Sequence, residues 1–253
     1  MNTLYVDCKY GISGDMMLTS LVDLGADKDY IASELKKIPI ENFEMTFEKT
    51  MKQGIACLGL HLSFEPHQHH HGHEDKTEHH SHEHNHAREI FSLIEASELA
   101  PRVKERGLAL FHEVARAESK IHGIPVDEVH FHEVGAMDSI IDTLGVCLAL
   151  ESLEIEEVIF HSVPTGSGMI HIAHGLFPVP APATSEILVG VPLSNFDYSA
   201  ELTTPTGASF AKVLASEYSE IPHGTIEKIG YGSGTKNFPH PNVLRTMLLK
   251  KKN

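Results

Sequence analysis

Hydrophobic positions recur along this chain in two rhythms, and the elements they predict mix strands with helices. Leu4, Val6 and Cys8 alternate with Tyr5 and Asp7, as side chains of a half-buried strand do. A turn over residues 9–15 then opens a helix whose apolar positions Met17, Leu18, Leu21, Val22 and Leu24 end at Gly25. Residues 27–37 suggest a short second helix, and two β-like runs, 43–49 and 55–64, meet through Gln53-Gly54 as a hairpin. Helical stripes follow at 88–98 and 101–122, with Pro101 in a first turn and Gly123 as a stop. Residues 129–134 read as a short strand. Residues 138–153 read as a helix with its stripe through Ile140, Ile141, Leu144, Cys147 and Leu148, and 157–163 as a buried strand. Glycine and proline crowd 164–192, which predicts irregular loops around one strand at 169–173 and a helix from Pro182. Thr204-Pro205 marks one more helix start, and 226–231 is the final strand of the predicted core. The expected fold class is α/β, a mixed sheet with flanking helices.

One stretch breaks both rhythms. Ten of the twenty residues 67–86 are histidine, interrupted by Glu74, Asp75, Glu78 and Glu83. Such a tract builds no core and is expected to be a disordered insert. Its flexible imidazoles, among them His69, His70, His71 and His73, suit nickel, zinc or copper. The chain then divides into an N-terminal α/β part (1–66), the insert (67–87) and a main α/β part (88–253), which could form one domain with the first.

Composition narrows the function. An apolar fraction of 41% in 253 residues is enough for a proper core. A formal charge of -15 with histidine neutral offers no footprint for a nucleic acid backbone, so no nucleic acid partner is expected. No apolar run reaches the roughly 20 residues that span a bilayer, and the N-terminus lacks a signal-like pattern, so a cytoplasmic protein without a membrane partner is expected. The three scattered cysteines form no Cys-x-x-Cys pair.

Several constellations could carry chemistry. His130 and His132, two apart on a predicted strand, share a face and make a paired ligand set, with Glu133 beside them. Asp138 and Asp142, four apart, share a helix face and could hold a cation or accept protons; a helix cap and a solvated carboxylate are the bland alternative. Ser13, Gly14 and Asp15 open a helix after a strand, where free N–H groups cradle an anion, and Asp7 could bring a cation there. Thr204, Thr206 and Gly207 form a second such helix N-terminus. His171 and His174 lie near a glycine turn as further ligand candidates. Gly230-Tyr231-Gly232-Ser233-Gly234 reads as a mobile turn, because prolines follow where a nucleotide-binding helix should begin.

Together Asp7, Gly11-Ile12-Ser13-Gly14-Asp15-Met16, the His-rich insert, His130-Phe131-His132-Glu133-Val134-Gly135 with Asp138-Ser139-Ile140, and the 178–184 and 203–208 segments closely resemble the LarC family of nickel insertion proteins. The resemblance covers nearly the whole chain. It implies nickel(II) binding and delivery into pyridinium-3,5-bisthiocarboxylate mononucleotide, forming the nickel-pincer cofactor of lactate racemase, with CTP and magnesium or manganese. It also implies a lyase-class nickel cyclometallase whose longer members carry a further domain. That domain is expected here as a separate chain, alongside a homo-oligomeric partner. Within this reading His130 and His132 hold the ion, and Asp138, Glu133 or His132 removes the ring proton. A non-catalytic nickel or zinc store and a divalent-metal phosphohydrolase built on Asp7, Asp15, His130 and His132 are the alternatives.

Overall fold

The computed structural model describes residues 2–64, 86–131 and 137–250. Strand β1 (Asn2–Asp7) leads through a tight loop into α1 (Gly14–Leu24), followed by α2 (Lys28–Leu35), whose cap Asp27 accepts from the amides of Asp29 and Tyr30. The hairpin β2 (Phe43–Lys52) and β3 (Ile55–Phe64) turns at Gln53-Gly54, both with positive φ, as a two-residue turn requires. After the insert come α3 (Ala87–Ala96), α4 (Pro101–His122) with Gly123 in the left-handed region as its stop, and α5 (Met137–Ser152). Then follow β4 (Ile155–Phe160), the small hairpin β5 (Met169–Ile172) and β6 (Gly175–Pro178), α6 (Pro182–Ile187), α7 (Pro205–Val213), β7 (Glu217–Tyr218), β8 (Thr225–Ser233) and β9 (Val243–Lys250).

One seven-stranded sheet in the order β2-β3-β8-β9-β1-β4-β7 takes strands from both sides of the insert. It is mixed: β1 pairs parallel with β4 and antiparallel with β9. The main core lies between this sheet and the helices, with Leu4, Val6, Met17, Leu21, Ile141 and Leu144 fully buried. On the opposite face Tyr5, Ile159, Met247 and Leu249 form a second, smaller cluster.

Four sequence expectations are corrected by this architecture. The core does not end at β8: the run 243–250 is β9, wedged between β8 and β1, and the glycines and prolines before it suggest a loop instead. Gly230 and Gly232 belong to β8 rather than to a mobile turn. A Cβ on Gly232 would overlap the Met16 carbonyl and one on Gly230 the Ser20 carbonyl, so these glycines let α1 lie directly on the strand. Residues 129–131 form no strand, only an isolated bridge between His130 and His86; the rest of that predicted strand, with His132 and Glu133, lies outside the described residues. The tract histidines His69, His70, His71 and His73 lie outside them too. Helix α5 is buried nearly all round, not along one stripe.

Candidate functional site

The loop after β1 and the segment before α7 are laced together. Ile12 N–H donates to Leu202 O (2.9 Å) and Thr204 N–H to Ile12 O (3.2 Å), while Gly11, at φ 124°, has no room for a Cβ against the Leu202 carbonyl. This lacing sets the first turns of α1 and α7 side by side. The cap of α7 is Thr204, whose hydroxyl accepts from Gly207 N–H (3.2 Å). The cap of α1 is Ser13, whose side chain makes no capping bond and instead donates to Asp15 Oδ1, which also accepts from Met16 N–H (2.9 Å). Helix α5 packs on α1 with its first turn at the same end. Gly14 makes this approach possible: a Cβ there would stand 2.6 Å from Asp142 Oδ2.

Three helix N-termini therefore edge one cleft of 530 Å³. Its helical wall carries Ser13, Gly14, Asp15, Asp138, Asp142, Thr204 and Thr206. Leu60, Leu62 and Phe64 at the end of β3 line the facing wall, as do Gly234, Lys236, Phe238 and Asn242 of the β8–β9 connection. That connection is held in shape by Asn242, which donates to Lys236 O (2.9 Å), and by Lys52, whose Nζ lies 2.8 Å from Asn237 Oδ1.

The electrostatics of the cleft are two-sided. The positive ends of the helix dipoles favour an anion, although side-chain oxygens already take the amides of Met16, Ser139 and Gly207. The carboxylates of Asp15, Asp138 and Asp142 oppose one another and favour a cation. Burial pushes Asp142 well above the ordinary carboxylate range, and the charges of Asp15 and Asp138 push it further; its Oδ1 is sealed from solvent without a hydrogen-bond partner among the described residues. Burial also raises Asp15, against the lowering pull of the Ser13 hydroxyl and the Met16 amide. As placed, no three acidic, imidazole or thiol side chains among the described residues stand close enough to hold a metal ion.

Residues distant in sequence thus meet: the Ser13, Gly14 and Asp15 set, the Asp138 and Asp142 pair, and Thr204 with Thr206, with Gly207 bonded to its cap. Other candidates stand elsewhere. Asp7 does not line the cleft; Arg245 Nε donates to its Oδ2 (3.0 Å), with a second bond from the same guanidinium. His130 does not line it either: its ring lies 3.7 Å, centroid to centroid, from that of His86, the last histidine of the tract. His171 lies in β5, on the small hairpin, and His174 lies at that hairpin's tip beside His122. All three cysteines are buried, and burial pushes the Cys147 thiol up to about 12, which removes it as a nucleophile. Sequence reasoning misses Lys236, Phe238 and Asn242; no periodicity marks a loop whose role is set by what it faces. It also misses His240, whose ring stands among Tyr10, Phe196, Tyr198 and Phe238 at centroid distances of 4.7–5.2 Å.

The nickel insertion protein family matches residues 4–253. The chain belongs to that family. Members similar to it include proteins from Staphylococcus saprophyticus (51% identical, covering 97% of this chain and 59% of the relative) and Geobacillus kaustophilus (45% identical, 98% and 60%). A third comes from Clostridium kluyveri (44% identical, 98% and 62%). Each is named a pyridinium-3,5-bisthiocarboxylic acid mononucleotide nickel insertion protein. The chain spans about three fifths of the length of these nickel insertion proteins. No solved structure matches it. No helix among the described residues is long and apolar enough to cross a membrane.

Proposed function

We propose that this chain takes up nickel(II) and delivers it into pyridinium-3,5-bisthiocarboxylate mononucleotide, making the nickel-pincer cofactor of lactate racemase in the cytoplasm. Support comes from family membership and from one observation above all: three helix N-termini and three carboxylates share a single cleft. The substrate is a phosphate monoester joined to a cationic ring, and the cleft offers a matching part for each. The first turns of α1 and α7 receive the phosphate. Phe238, which lines the facing wall, is the aromatic side chain proposed to meet the pyridinium. Asp15, Asp138 and Asp142 hold nickel until the softer thiocarboxylate sulfurs displace them.

Carbon–nickel bond formation requires loss of a ring proton. The C–H electron pair goes to the metal and the proton to a base. Asp142, whose raised pKa makes it the more basic carboxylate, is the candidate among the described residues; His132 and Glu133, outside them, remain the alternatives read from sequence. His130 and the tract supply the ion. CTP with magnesium or manganese completes the proposed cyclometallase reaction. The cleft's amides and carboxylates suit a polyphosphate with its cation, and the portion of the relatives that this chain does not span is the other host. A second copy of this chain is a further proposed partner.

The test is to incubate the purified chain with nickel and the dithiocarboxylate precursor, with and without CTP and the second domain, and to follow the product by mass and absorbance. Asp15→Asn with Asp142→Asn abolishes product even at saturating nickel. Undiminished turnover by that variant removes the cleft from the reaction.

A further inference from the structure

Away from the cleft, the C-terminal end of α4 and the tip of the β5–β6 hairpin bring a carboxylate and two imidazoles together. Glu118 and His122 are one turn apart on α4 and share a face, with His122 Nε2 3.2 Å from Glu118 Oε2. His174 occupies the turn between Ile172 and Gly175, and its ring centroid lies 4.9 Å from that of His122. The three line a separate cavity of 280 Å³, whose other walls include the apolar Ile121, Ile172 and Phe177. Glu118 is buried. Neutral imidazoles compensate a buried carboxylate poorly, whereas a divalent ion compensates it and ligates all three.

We propose that Glu118, His122 and His174 form a second metal site for a late first-row divalent ion, nickel(II) or zinc(II). Bonds of about 2.0–2.1 Å to nitrogen and oxygen place neighbouring ligands roughly 3 Å apart, a spacing that Glu118 and His122 already have. As they are placed, no three histidine, cysteine, aspartate or glutamate side chains among the described residues could hold a metal ion. His174, exposed at the hairpin tip, closes the set by a rotamer change. Imidazole and carboxylate donors together select such ions over magnesium or calcium. The bound ion staples the β5–β6 hairpin to α4, fixing a segment whose Met169 and Leu176 are otherwise solvent-facing.

The test uses the 253-residue chain with the nine histidines of 67–84 replaced by serine, so that tract binding does not mask the site. Nickel and zinc are each titrated by calorimetry into this background and into its His174→Ala and Glu118→Gln derivatives. Loss of one equivalent, or weakening by roughly tenfold or more, is expected in both derivatives, and the stronger of the two titrations identifies the metal. Hydrogen exchange across 169–178 slows on metal addition in the background and not in His174→Ala. The same slowing in an Asp15→Asn and Asp142→Asn protein separates this site from the cleft. Unchanged stoichiometry and affinity in His174→Ala, or exchange that ignores the metal, overturns the proposal.

Discussion

Replacing Asp142 by asparagine is predicted to stabilise the metal-free protein while removing the nickel chemistry proposed for the cleft. The side chain sits against the Gly14 backbone with one oxygen sealed from water and partnerless among the described residues, facing the charges of Asp15 and Asp138. An unsatisfied buried polar group costs about 1–3 kcal/mol. Asparagine keeps the shape, removes the charge and can donate to a neighbouring carboxylate. Recovering that cost raises the melting temperature by about 2–12 °C at this chain length. The pH dependence has a definite sign. A carboxyl whose folded pKa is raised contributes stability that is complete below the ordinary carboxylate range and is lost as pH climbs through its elevated value. The advantage of asparagine is therefore small near pH 4 and grows toward neutrality. Thermal unfolding with a chelator present, followed across about pH 4–8, measures it. Adding nickel should then stabilise the natural chain more than the variant. A variant less stable than the natural chain at neutral pH, or an advantage that does not grow with pH, refutes the account of Asp142.

Two further outcomes follow from the same structure. Gly232→Ala forces α1 off β8, because the new methyl overlaps the Met16 carbonyl; a loss of about 1–3 kcal/mol is expected in chemical denaturation, with the proposed nickel insertion falling because Ser13 and Asp15 ride on that helix. Deleting residues 67–84 should leave product formation intact at high nickel and reduce it when nickel is scarce; a chain that loses turnover at every nickel concentration would place the tract in the chemistry itself.

Much of the site is legible in the amino-acid sequence. The Thr204 cap, the Ser13-Gly14-Asp15 turn and the one-turn spacing of Asp138 and Asp142 are local patterns, because capping and helical phase depend on residues within a few positions. Their meeting is not legible there. It depends on hydrogen bonds between Ile12, Leu202 and Thr204, nearly two hundred positions apart, and on the absence of a side chain at Gly14. Asp7 shows the converse: a carboxylate at the end of a strand beside a glycine turn has the look of a cation ligand, but β9 lies next to β1 and brings Arg245 to it. That strand is itself hidden in the sequence by the glycines and prolines that precede it.

By itself the sequence determined the helices and most strands, the family to which the chain belongs, and the helix starts and carboxylates that favour an anion and a cation. Short-range periodicity and end chemistry carry those facts. Tertiary structure alone decided that the carboxylates share one cleft, that β8 and β9 complete the sheet beneath α1, and that Glu118 and His122 meet His174. Each of these needs segments brought together across long stretches of chain, and only the packing of helices on the sheet sets those distances.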